Sequence, residues 1–218
     1  MYFMEEKCIF CNIQTNENNE LIDKPLFKSD NFYIKLGKGM IIPGYLMIIP
    51  KEHVISMAYL TKEKLRKLFI LLDETRNILE KTFNEPVIFY EAGTSGVRGV
   101  KFNNSIVHAH IHVAPISLSG ENYSVLIKEM FLEPFDYRNC LQQLKGKPYS
   151  FLIDADNQGF ASLVWDRQRQ LFRKVLAKQV GKENAWNWRE EKNESIQNIK
   201  LTIRYLHAKL GMLNYFHL

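Results

Sequence analysis

Apolar and polar positions along the chain follow two rhythms. Over residues 62–83, Leu65, Leu68, Phe69, Leu72, Ile78 and Leu79 recur at helical spacing behind Thr61, a residue suited to capping, and predict one long helix. The other apolar runs before residue 118 are short and bounded by turn residues, as strands are. Residues 26–28 and 31–36 predict a hairpin about Ser29-Asp30. Residues 45–49 predict a buried strand between the Pro43-Gly44 turn and Pro50, and residues 87–90 predict another. Residues 107–113 alternate His108, His110 and His112 with Ala109, Ile111 and Val113; Pro115 closes the run. As a strand, this segment places the three imidazoles on one face and the apolar side chains on the other. Cys8 to Cys11 reads as a tight knuckle, residues 14–20 as a polar loop or the end of a short helix, and residues 93–99 as a flexible loop feeding the histidine strand.

Beyond Ser119 the pattern changes. Residues 125–131 and 136–144 read as helical, and 149–153 with 160–165 as a strand pair about Asp156-Asn157-Gln158-Gly159. Leu171, Val175, Leu176 and Gln179 lie on a further helix, and residues 196–210 on a last one. Strands outnumber helices and one long helix crosses between them, so the expected fold class is α+β, a layered antiparallel sheet with an α/β extension. The expected division is residues 1–118 and an extension, 119–218, packing on them. The Trp186-Asn187-Trp188 cluster is read as packing in preference to a ligand platform.

With 218 residues, 46% of them hydrophobic, the chain has ample material for a packed core. No apolar run is long enough for a secretory signal or a membrane span, and a cytoplasmic protein that touches no membrane is expected. The net charge of +5 and pI near 9.0 suit anionic ligands such as nucleotides; the basic residues concentrate mildly at Arg167, Arg169, Arg173, Lys174 and Lys178. Three cysteines do not make a disulfide framework, which leaves metal or redox use.

The chemistry gathers at two places. Three imidazoles in register are costly to bury unless each finds a partner, and each can act as nucleophile, acid, base or metal ligand near neutral pH. Cys8 and Cys11 have the spacing of a metal knuckle; a reducible dithiol and a pair of half-buried thiols are the alternatives, the former without the strand and helix context of a thioredoxin-type motif. His53 and His108 are the natural partners, and a closed site of two cysteines and two histidines would be structural zinc.

These residues resemble the histidine triad family of nucleotide hydrolases and transferases. The resemblance covers residues 1–118 through Cys8-Ile9-Phe10-Cys11-Asn12-Ile13, Pro43-Gly44-Tyr45-Leu46-Met47-Ile48-Ile49-Pro50-Lys51-Glu52-His53 and His108-Ala109-His110-Ile111-His112-Val113. It implies that His110 attacks the α-phosphorus of a nucleotide and is covalently nucleotidylated, that His112 faces the phosphate or leaving group, and that Ser105 hydrogen-bonds the departing side. It implies structural zinc on Cys8, Cys11, His53 and His108, a homodimer, and as substrate a dinucleoside polyphosphate, a nucleoside phosphoramidate or an adenylylated acceptor. Phe89-Tyr90-Glu91-Ala92-Gly93 resembles a bacterial variant of the family in which histidine stands at the place of Ala92. Asn104 replaces a more usual neighbour of the triad, and residues 36–40 lack the acidic residue with which many members hold ribose. Lys38 and Arg98, both near glycines, join Asn104 as candidate substrate contacts. Residues 171–177 and 186–189 resemble extensions of some bacterial and splicing-associated members, which either complete the pocket or thicken the core. The competing account is a module that binds or processes nucleic-acid ends, with RNA held by the basic extension.

Overall fold

Short runs of β-branched and aromatic residues form five strands before residue 118: β1 (Pro25–Lys28), β2 (Phe32–Leu36), β3 (Leu46–Pro50), β4 (Val87–Gly93) and β5 (Ile111–Pro115). Three more follow: β6 (Glu133–Pro134), β7 (Tyr149–Ile153) and β8 (Gly159–Ser162). In the computed structural model, which describes residues 8–15, 22–95, 106–118, 121–163, 170–190 and 193–210, all eight join one sheet in the order β1-β2-β3-β5-β4-β7-β8-β6. Every neighbouring pair is antiparallel, and the α+β reading holds. β7 pairs with β4 from Phe89 to Gly93, so strands from beyond residue 118 extend the sheet begun by the first five. That pairing also carries β4 three residues past the expected end at Tyr90.

The helices are α1 (Ile9–Thr15), α2 (Lys62–Phe83), α3 (Glu121–Glu129), α4 (Tyr137–Cys140), α5 (Leu171–Gln179) and α6 (Asn193–Leu210). α2 keeps its predicted bounds because both ends are capped. The Thr61 hydroxyl accepts from the Lys64 N–H, and Asn84, in the left-handed conformation at φ 54°, donates its N–H to the Glu80 carbonyl. The expected Cys8–Cys11 knuckle is the first turn of α1, closed by Asn12 N–H on the Cys8 carbonyl at 3.0 Å. The expected helix over 136–144 is one turn of α4, capped by Asp136, followed by a 3-10 turn at Leu141–Leu144.

Register assigns the faces. Lys35 pairs with Met47, Met47 with His112, His112 with Tyr90, and Tyr90 with Leu152, so these five lie in one cross-strand row on one face. The opposite row runs through Leu36, Leu46, Val113, Phe89 and Ile153 and joins the main core with Leu65, Leu68, Leu72 and Leu79 of α2. Phe10 and Ile13 of α1 pack with Tyr33, Met47 and Ile49 on the histidine face. Phe172 of α5 stacks on Tyr90 of the same face, with ring centroids 4.4 Å apart. Helices thus flank the histidine row from both ends.

The predicted strand over 107–113 is corrected: β5 starts at Ile111, and of the three histidines it carries His112 alone. The ladder to β3 stops at Ile48 opposite Ile111 because the Ala109 N–H turns instead to the Val54 carbonyl, at 2.7 Å, beyond the end of β3. His108 and His110 therefore sit on irregular backbone, free of the strict alternation that a strand imposes.

Behind the site, Glu91 of β4 is 1% exposed. It accepts from the Met57 N–H at 2.7 Å and the Tyr149 hydroxyl at 2.5 Å, tying the turn after His53 to β4 and β7. Burial pushes its carboxyl up from 4.5 to about 7 against the pull of both hydrogen bonds. The folded chain thus holds this proton more tightly than the unfolded chain, and the associated stability is complete below pH 4.5 and lost as pH rises through about 7. Glu91→Gln cannot ionise. Between about pH 5 and about pH 8 the difference in unfolding free energy should move in the variant's favour by about 2.5 kcal/mol, read by urea denaturation. A difference independent of pH would contradict this reading of the buried carboxyl.

Candidate active site and metal centre

Four side chains predicted from the sequence converge where α1 meets the turn after β3. The ligand atoms of Cys8, Cys11, His53 and His108 all lie within 4.8 Å of one another. Cys8 Sγ stands 3.3 Å and Cys11 Sγ 3.6 Å from His108 Nδ1, and Cys11 Sγ stands 3.2 Å from His53 Nδ1. Tetrahedral zinc with ordinary bond lengths has ligand-to-ligand edges of about 3.3–3.8 Å, so the set fits such an ion. The orientation of His108 strengthens the fit. Its Nε2 donates to the Pro50 carbonyl at 2.9 Å, which leaves the Nδ1 lone pair facing the sulfurs. Burial lowers its pKa to about 4, keeping the imidazole in the neutral form a metal requires. Cys140 closes α4 and is not part of this cluster.

His110 and His112 stand beside that cluster, ring centroids 4.9 Å apart and nearly perpendicular. His110 Nδ1 lies 2.8 Å from the His108 carbonyl, which can only accept, so Nδ1 carries hydrogen and Nε2 holds the lone pair. Burial, with Lys35 nearby, lowers the His110 pKa against that hydrogen bond. Its ring meets the edge of Phe10 at 5.3 Å. His112 Nδ1 lies 2.7 Å from the Tyr45 hydroxyl, and its ring sits among Tyr45, Tyr90 and Phe172 at centroid distances of 5.8, 6.1 and 6.0 Å. Burial holds its pKa well below the usual value, reinforced by His110 and Arg173. Both shifts favour the neutral ring, and both residues keep part of their surface exposed.

Several neighbours escaped the sequence reading. Lys35 is 2% exposed on the histidine face and pairs with Asp23 at 3.0 Å. Its signal was a lysine inside an otherwise apolar strand. Arg173, read as one of a mild concentration of basic residues, is buried. It donates to the carbonyls of Trp186 at 2.7 Å and Gly39 at 2.6 Å, and its guanidinium lies 5.4 Å from the Tyr45 ring centroid. Lys38 is exposed in the turn after β2, and Arg98, Asn104 and Ser105 lie outside the described residues.

The segment after residue 170 roofs the loop between β2 and β3. Gly39 has φ +62°, and a Cβ there would stand 2.5 Å from the Trp188 Cα, so the two segments meet closely there, and Trp186 packs partly buried against the main core. In α6, Ser195 accepts from Met40 N–H, Asn198 donates to the Met40 and Ile41 carbonyls, and Thr202 accepts from Gly44 N–H at 2.7 Å.

Residues 7–125, more than half of the chain, match the model of a family described as scavenger mRNA decapping enzyme C-terminal binding. The chain belongs to this family and is a histidine triad protein. It is 23% identical over 123 residues to the protein called Protein hit of Bacillus subtilis strain 168, a match spanning 56% of this chain and 80% of that one. Among solved structures it is similar to a Hit-like protein involved in cell-cycle regulation from Bartonella henselae, with TM-score 0.44, 16% identity, and 55% and 83% of the two chains covered. It is also similar to a zinc-bound histidine triad family protein from Mycobacterium smegmatis, with TM-score 0.42, 16% identity, and 53% and 78% covered. Members of the histidine triad family are generally nucleotide hydrolases or transferases. Among the described residues of this histidine triad protein, no helix is long and apolar enough to cross a membrane.

The turn that leads into Tyr45 depends on α6, and this dependence can be measured. Thr202→Val removes the acceptor of the buried Gly44 N–H with little change in volume. It should cost about 1–3 kcal/mol in urea denaturation; an unchanged midpoint would mean that this hydrogen bond does not hold the turn.

Proposed function

We propose that this histidine triad protein cleaves nucleotide substrates at the α-phosphorus through a covalent nucleotidyl-histidine intermediate on His110. The observation that carries the reading is the hydrogen bond from His110 Nδ1 to the His108 carbonyl, which leaves a neutral ring with its lone pair on Nε2. Nε2 attacks the α-phosphorus, a P–N bond forms as the bond to the leaving group breaks, and the His112 Nε2–H donates a hydrogen bond to the departing oxygen or nitrogen, which takes its proton from solvent. Water, or another acceptor, then attacks the same phosphorus, the P–N bond to His110 breaks, and the acceptor's proton passes to solvent. Ser105 supports the departing side, while Asn104, Arg98 and Lys38 are the candidate contacts to substrate.

In the same proposal, Cys8, Cys11, His53 and His108 hold zinc in a closed, structural site. Bound there, the ion would supply cross-linking and no chemistry on substrate. His108 then connects the two centres, since its ring is a ligand and its carbonyl sets the His110 tautomer. Substrates to test are dinucleoside polyphosphates, nucleoside phosphoramidates and adenylylated acceptors. Cap-type dinucleotides join them because the family description speaks of mRNA decapping.

Protein incubated with a panel of α-phosphorus-labelled adenylyl and guanylyl compounds and then rapidly denatured under alkaline conditions should retain label on His110. His110→Ala should lose the label and about 10⁴-fold in turnover. Retained turnover in that variant would reject the mechanism. For the metal, protein purified without added zinc should contain about one ion per chain, and Cys11→Ser should lose it with a lowered melting temperature. A metal-free wild-type protein of full stability would reject the zinc reading.

A further inference from the structure

The extension reaches the triad through a chain of three side chains. Arg173 of α5 lies over the Tyr45 ring at 5.4 Å, Tyr45 is wholly buried, and its hydroxyl meets His112 Nδ1 at 2.7 Å. The guanidinium has little freedom, since besides Trp186 and Gly39 it reaches the Ala185 carbonyl at 3.3 Å and the Lys38 carbonyl at 3.5 Å. These partners are neutral carbonyls on two separate segments, and they fix where the charge stands relative to the phenol.

We propose that Arg173 is a positioning residue for His112, acting through Tyr45: it holds the phenol as a hydrogen-bond donor to Nδ1 and so keeps His112 in the tautomer with its hydrogen on Nε2. The proton bookkeeping is closed. Burial keeps the Tyr45 phenol protonated, with Arg173 opposing only part of that rise, and His112 is kept neutral. A neutral imidazole whose Nδ1 accepts from a phenol carries its one hydrogen on Nε2. The groups facing His112 are Tyr45 from the residue before β3, Tyr90 from β4, His110 from the segment before β5, and Phe172 and Arg173 from α5. No carboxylate is among these groups that could stabilise an imidazolium instead. His110 and His112 thereby present opposite tautomers, one Nε2 to accept and one to donate. The role of this donor rests on the nucleotidyl-transfer reading above; the tautomer itself does not.

The decisive measurement is a long-range proton–nitrogen correlation spectrum of protein labelled with ¹⁵N-histidine, zinc present, at neutral pH. Wild-type His112 should show a protonated Nε2 and an unprotonated Nδ1; a protonated Nδ1 would overturn the proposal with no variant needed. In Arg173→Met the His112 signals should become a mixture of tautomers, and kcat should fall about ten-fold with KM little changed. Arg173→Lys, which keeps the charge, should recover part of this loss. Tyr45→Phe should reproduce the Arg173→Met defect, and the double variant should be no slower than Tyr45→Phe. A folded Arg173→Met protein with wild-type His112 signals, or additive losses in the double variant, would also overturn it. Absence of turnover on every nucleotide would count against the nucleotidyl-transfer reading and leave the spectroscopic result to decide this one.

Discussion

The arrangement depends on how His108 is held. One residue meets three constraints at once: Nε2 donates to the Pro50 carbonyl, Nδ1 faces the Cys8 and Cys11 sulfurs, and the carbonyl receives His110 Nδ1. Each contact fixes the next. Because the first hydrogen bond selects the tautomer of His108, it also selects which nitrogen is available to a metal. Because the carbonyl can only accept, it selects the nitrogen of His110 that keeps a lone pair. A side chain 1% exposed thus transmits rigidity from the end of β3 and from α1 to the ring proposed as nucleophile.

The second half of the molecule completes this site from the other side. β7 continues the sheet across β4, α5 places Phe172 and Arg173 against Tyr90 and Tyr45, and α6 pairs the polar backbone of the loop from Met40 to Gly44. Buried backbone donors and acceptors demand partners, and here Ser195, Asn198 and Thr202 supply them from more than 150 residues away. The loop between β2 and β3 is therefore shaped by the extension as much as by its own glycines. Gly39, at positive φ beneath Trp188, can make that approach because it has no Cβ.

What was legible in the sequence is what short-range pattern encodes. The helical period over 62–83 and its Thr61 cap gave α2 residue for residue, and the four donors Cys8, Cys11, His53 and His108 could be named from spacing and position because few alternatives existed. The triad was legible in type but not in geometry. Alternation suggested a strand through all three histidines, whereas the Ala109 N–H leaves the ladder for Val54 and β5 begins only at Ile111. Tyr45, Phe172 and Arg173 were illegible as site residues, because an aromatic in a buried run and an arginine on a helix carry no local mark of what they will touch in the fold. Lys35 gave a faint mark, a charge within an apolar strand, whose meaning depends on Asp23.

Backbone geometry at His108, and not proximity of imidazoles alone, leaves the lone pair of His110 on Nε2, the atom proposed as nucleophile. The most direct test is the ¹⁵N-histidine spectrum of the zinc-loaded protein at neutral pH, assigned at His110. The spectrum should show a neutral ring protonated at Nδ1 with an unprotonated Nε2. A ring protonated at Nε2, or an imidazolium, would contradict it.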